Sequence, residues 1–180
     1  MTQGKPDNAE FSQIMYTFRV PWTGVTYYYL YSDDNHLCTA ATYSSLHFSV
    51  SFNSSSGRNW LCKRPRSIGQ SNKDTIDIVD QKTKRVDLKI YKTDQKLYIL
   101  KKRRGLLRFH EEMRIYIENH CYYFYVQQQA IAKLVPQSKH NGFCYPAGLP
   151  EEAELRFRIF TSKEIAPDIL AQINAFPLLV

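Results

Sequence analysis

The sequence predicts a mainly β fold, a closed or nearly closed antiparallel β-barrel of about ten to twelve strands with one C-terminal hydrophobic helix filling or capping it. Three observations carry this. The chain holds thirteen Tyr and ten Phe, residue types that favour pleated, half-buried surfaces. Strand-length segments with apolar residues at every second position recur between short turn signals. The last segment then changes to helical spacing.

The elements follow in order. "QIMYTFRV" (13–20) runs into Pro21, and "GVTYYYLYS" with "HLCTAATY" forms a hairpin around Asp33, Asp34 and Asn35. "SLHFSVSF" sets Leu46, Phe48, Val50 and Phe52 against His47, Ser49 and Ser51. "NSSSG" is a turn, "RNWLC" resumes the sheet, and "KRPRSIGQSN" (63–72) is a loop. "DTIDIVD", "RVDLKIYK" and "KLYILKK" form a meander through the turns "QKTK" and "TDQ", with Val86, Leu88 and Ile90 on one face and Asp87, Lys89 and Tyr91 on the other. "MRIYIEN" and "CYYFYVQQQ" meet at Asn119–His120, and "AIAKLV" stops at Pro136.

After a Pro- and Gly-containing loop (136–152), "ELRFRIF" is the last strand, with Leu155, Phe157 and Ile159 inward. Ser162 is an N-cap candidate for "KEIAPDILAQINAF", with Ile165, Ile169, Ile173 and Phe176 at helical spacing; a start at Pro167 is the alternative. The apolar end "PLLV" must pack somewhere. Residues 1–10 are expected to be a flexible N-terminus, and 11–180 a single barrel domain.

Composition limits the function. The mean hydropathy is −0.44, and no stretch approaches the roughly 20 apolar residues of a spanning helix. The polar start "MTQGKPDNAEFSQ" has no apolar signal core. Cys38, Cys62, Cys121 and Cys144 are widely spaced and read as reduced thiols, not as a disulfide framework or zinc site. The expected location is cytoplasmic, peripheral at a membrane. The net charge of +7 is uneven: residues 58–118 hold seventeen basic and eight acidic side chains, net +9. Such a segment attracts phosphates on lipid or nucleic acid, or supplies the solvated faces and protected edges of strands.

At pattern level the chain resembles the tubby C-terminal-like family, which takes in bacterial tubby-like proteins, plant LURP-one-related proteins and phospholipid scramblases. The likeness runs from "MYTFRVP" and "YLYSDDNHLC", through "IDIVDQKTKRVDLKIY", to "LRFRIF" and "PDILAQINAFPLLV". It implies a twelve-stranded barrel wrapped around a hydrophobic C-terminal helix, and association with phosphoinositides or membranes. It carries no individual binding residue over to this chain.

No catalytic residue, metal or cofactor is expected. His47 in "HFSV" has the His-x-Ser form, but paired acid–base chemistry needs a second such element, and the other four histidines lack it. His110, Glu111 and Glu112 are consecutive, and consecutive strand residues point to opposite faces. His140 and Cys144 share a loop without a second ligand pair. There is no nucleophile elbow, phosphate loop or zinc-protease motif. "CYYFYV" could stack bases, yet alternate aromatic residues also fill both sides of a sheet.

Three readings remain. The first is a non-enzymatic domain that associates with anionic phosphate groups, above all phospholipid headgroups at a membrane surface. Its cations would be Lys63, Arg64 and Arg66 in the loop, with Lys101, Lys102, Arg103 and Arg104 at a projecting hairpin tip in which Gly105 makes the turn. The second is a nucleic-acid-binding barrel using the same cations with exposed tyrosines. The third is a structural or interaction domain without a small ligand.

Overall fold

The computed structural model describes residues 11–22, 25–32, 35–43, 47–65, 75–94, 96–136, 156–162 and 165–179. Twelve strands follow in chain order: β1 (Phe11–Trp22), β2 (Val25–Ser32), β3 (Asn35–Tyr43), β4 (His47–Asn53), β5 (Asn59–Pro65), β6 (Thr75–Asp80), β7 (Val86–Asp94), β8 (Leu97–Arg104), β9 (Arg108–Glu118), β10 (Cys121–Val126), β11 (Gln129–Pro136) and β12 (Arg156–Thr161). Each pairs antiparallel with its sequence neighbour, and β1 pairs with β12, which closes the barrel. Closure leaves no open sheet edge. Of the expected loop 63–72, residues 63–65 instead extend β5; its remainder, the predicted N-terminal tail and the segment 137–155 lie outside the described residues.

The helix α1 (Pro167–Leu179) fills the lumen. Six consecutive residues, Ala171 to Phe176, are buried. A helix covered on every side can only be central, so it threads the barrel and does not cap it. Phe176 meets Tyr98, Tyr122 and Phe124 edge-on at centroid distances of 5.5, 5.5 and 5.6 Å. Inward residues such as Val50, Trp60, Ile78, Leu88, Leu100 and Leu134 surround it.

The helix starts at Pro167, the second of the two expected starts, and its far boundary differs from the expected one. Ser162 is no N-cap: its N–H bonds to Ile131 O at 2.9 Å, extending the sheet. The first helical bond instead runs from Leu170 N–H to Ala166 O. At the far end the helix continues through Pro177 to Leu179. Pro177 forfeits one helical bond, and burial of Leu178 and Leu179 in the lumen offsets that loss.

Two β-bulges decide the polar chemistry. Ile78 pairs with Leu88 while Val79 pairs with Val86, so Asp87 is the extra residue on β7. Leu100 pairs with Met113 while Lys101 pairs with Glu111, so Glu112 is the extra residue on β9. A bulge breaks the strict alternation and re-aims a side chain. Asp87, expected on the outer face, is buried instead.

Candidate anion-binding rim

Strand direction alternates round the barrel, so the β4–β5, β6–β7, β8–β9 and β10–β11 turns open on one rim. The N-terminus of α1 lies at this entry rim, where Asp168 meets the β4–β5 turn. Both bulge carboxylates are re-aimed here and meet cations. Arg58 contacts Asp87 at 2.8 Å, Asp80 at 3.4 Å and Asp168 at 3.5 Å. Trp60 Nε1 donates to the same Asp87 oxygen at 2.9 Å, and the Arg58 guanidinium stands 5.2 Å over the Trp60 ring. Lys102 reaches Glu112 at 3.5 Å and Asp168 at 3.8 Å, and Gln172 of α1 donates to Glu112 at 3.1 Å. The network ties five strands to the helix.

Its electrostatics are self-consistent. Burial pulls the Asp80 carboxyl upward, but the backbone N–H groups of Thr83 and Lys82 and the Arg58 guanidinium outweigh this and hold it below the usual carboxylate range. Asp168 is likewise held low against burial, by the Ser56 and Ser54 hydroxyls and the charges of Lys102 and Arg58. It also sits in the first turn of α1, where a negative charge suits the helix dipole. Burial works against the charged form of Arg58, but Asp87, Asp80 and Asp168 together hold its pKa above the ordinary value.

Outside this closed network lies a cleft of about 450 Å³ between the β6–β7 and β8–β9 turns. Arg58, Asp80 and Asp87 form its floor, and Arg85, Arg103, Thr83 and Gly105 its walls. The floor acids are already paired with Arg58. Arg85 is exposed, and Arg103 has a buried Nε with no hydrogen-bond partner among the described residues. Two guanidinium groups with no carboxylate partner among the described residues thus face a cleft whose two acids, Asp80 and Asp87, share the single Arg58 cation, which leaves the lining with a net positive charge.

The run Lys101–Arg104 is not a projecting tip. It forms the last four residues of β8, and the tip is Gly105–Leu107. Strand alternation splits it: Lys101 faces outward over the Tyr91 ring at 4.9 Å, while Lys102 faces the lumen mouth. Arg103 stands over the Phe109 ring at 5.5 Å and lines the cleft, and Arg104 is exposed beside Arg108. Gly105 makes the turn as expected, with φ +76°. Lys63 is exposed on β5; the Arg64 side chain and Arg66 lie outside the described residues. Because β5 and β8 run antiparallel, Lys63 leads toward the opposite rim and Lys101–Arg104 toward the entry rim. Lys63 and the Lys101–Arg104 run therefore diverge.

The consecutive His110, Glu111 and Glu112 also part company. Glu111 pairs with Arg114 at 2.6 Å on the exterior, and Glu112 turns to Lys102. Cys38 and Cys121 are free thiols, and burial pushes the Cys38 thiol far above its ordinary range, which makes it a poor nucleophile.

Sequence reasoning missed Arg58, Arg85 and the two bulge acids. Nothing local marks Asp87 as inward, because a bulge reverses the face that alternation assigns. No protein-family model, no curated protein sequence and no solved structure matches the chain.

Proposed function

We propose that this chain is a tubby-like, non-enzymatic binding domain that associates with anionic phosphate groups, specifically phospholipid headgroups at a membrane surface. The observation that carries this is the cleft between Arg85 and Arg103, whose three arginines outnumber its two acids, both of them paired with Arg58. An incoming phosphate meets two guanidinium groups suited to bidentate contact, while the lining carboxylates Asp80 and Asp87 are each held by Arg58. The helix fills the lumen, with Phe176 packed against Tyr98, Tyr122 and Phe124, so recognition falls to the rims and the outer surface. That outer surface carries Asp77, Lys89, Lys101 and Arg114, charges placed where a membrane-spanning barrel needs an apolar band. Surface association fits it better than insertion of the barrel.

The nucleic-acid reading draws less support. Its stacking platforms beside the cations are occupied, Tyr91 by Lys101 at 4.9 Å and Tyr123 by Lys133 at 5.3 Å. The half-exposed row Tyr27, Tyr29 and Tyr31 lies on β2, across the barrel from β8.

Flotation with phosphatidylcholine vesicles, with and without phosphatidylserine, run beside a polynucleotide shift assay, tests the proposal. The expected result is flotation that requires the anionic lipid, and that weakens when Lys101–Arg104 are all changed to Ser. Polynucleotide binding without vesicle binding would replace the lipid reading with the second one.

A further inference from the structure

We infer that Leu106 and Leu107, at the β8–β9 tip, insert into the interfacial layer of an anionic bilayer, with the arginines around them seated on lipid phosphates. This rests on the membrane reading above and assigns the element that makes contact. Leu106 and Leu107 are 79% and 84% exposed, and they are the two exposed large hydrophobic residues among those described. Scattered single leucines on a surface are ordinary. Two adjacent ones at the end of a hairpin, a position that usually takes polar residues, are not.

The residues beneath them add a second, independent cost. Arg104 and Arg108 are direct cross-strand partners on the last rung of the hairpin. Like charges placed opposite each other destabilise a sheet, and the described residues supply no carboxylate to relieve them. Two unfavourable features therefore coincide at one tip. A bilayer surface relieves both: the acyl boundary takes the leucines, and the phosphates take the arginines. The adjoining β6–β7 turn opens on the same rim and exposes Lys82, Lys84 and Arg85. The arrangement is an apolar point with basic flanks, complementary in charge to an anionic leaflet. An acidic protein groove would answer the cations but leave the leucines in water.

The test uses the whole chain with phosphatidylcholine–phosphatidylserine vesicles. The double variant Leu106→Ser/Leu107→Ser removes only exposed methyl-bearing side chains, so it should fold as the wild type does by circular dichroism. Its vesicle partition coefficient at physiological salt should fall about a hundredfold, given the apolar area two leucines would bury. The reporter Leu107→Trp should show emission quenched by lipids brominated along the acyl chain, above the signal of the wild type. Wild-type chain that binds no anionic vesicle would overturn this inference together with the membrane reading. Wild-type binding that the double variant keeps in full, with an unquenched reporter, would overturn insertion alone. So would a tip that mediates self-association, seen as a sedimentation shift lost in the double variant while vesicle binding stays unchanged.

Discussion

Arg58 Nη2 donates to Asp87 Oδ2 at 2.8 Å, and this pair fastens the β4–β5 end of the barrel to β7. The bond exists because a bulge turns Asp87 inward, where Trp60 Nε1 shares the same oxygen. Removing the cation would take away the charge that Asp80, Asp87 and Asp168 share, leaving Lys102 on Asp168 and no cation on Asp80 or Asp87 among the described residues. Arg58→Ala is therefore expected to lower stability by about 2–3 kcal/mol, the range for breaking a partly buried charge network. Urea unfolding of the two proteins measures it, and a loss below about 0.5 kcal/mol, the scale of an exposed ion pair, would contradict the account.

The same network sets an acid limit. Asp80 and Asp168 both titrate below their ordinary range in the folded chain. As pH falls through about 4, the unfolded chain takes up these protons before the folded chain does, so stability drops. The contribution is fully present above that pH and is lost once the depressed folded values are passed. Asp80→Asn and Asp168→Asn should each flatten the acid limb of a stability–pH curve and leave its slope above pH 6 unchanged. A wild-type curve flat down to pH 3 would oppose this.

The threaded helix makes a demand on folding. Ile173 is fully buried in α1 within the apolar core, where a carboxylate would be stripped of water. Ile173→Asp should yield no soluble folded protein, since burying an unpaired charge costs several kcal/mol. The milder Phe176→Ala should fold with a loss of about 3–5 kcal/mol, because it empties the site between Tyr98, Tyr122 and Phe124. A near-neutral Phe176→Ala in thermal unfolding would argue against a packed lumen.

The β10–β11 turn is strained as it stands. Gln127 and Gln128 both have positive φ, 48° and 67°, in a two-residue hairpin that favours Asn–Gly. Gln127→Asn/Gln128→Gly should stabilise the chain by about 1 kcal/mol or more, because glycine carries no left-handed penalty. A lower melting temperature would be the opposing result.

The barrel was legible wherever alternation held. Val50 and Phe52 are buried while Ser51 is exposed, and Asn119–His120 make the tight turn that the sequence implies. Legibility failed where geometry depends on pairing between strands. The bulges at Asp87 and Glu112 are properties of two strands together, so one strand's pattern could not reveal them. Gln127–Gln128 carries no turn chemistry, and lumen packing carries the helix through Pro177, beyond Phe176 where the helical spacing ends. For the candidate site, the basic run was visible, but its division between the two faces of β8 needed the register. The leucine tip did leave a trace in the sequence, an apolar pair directly after the glycine of a turn.

The most direct measurement is the vesicle partition of the wild type against Arg85→Gln/Arg103→Gln, followed as salt is raised. Both substitutions leave the Arg58 network intact, so the folded barrel should be retained. The wild type should bind vesicles containing phosphatidylserine, and the double variant should bind about tenfold or more weakly, each lost headgroup cation contributing about 1 kcal/mol. Equal partition of the two folded proteins, or binding that ignores the anionic lipid, would contradict a phosphate site between Arg85 and Arg103.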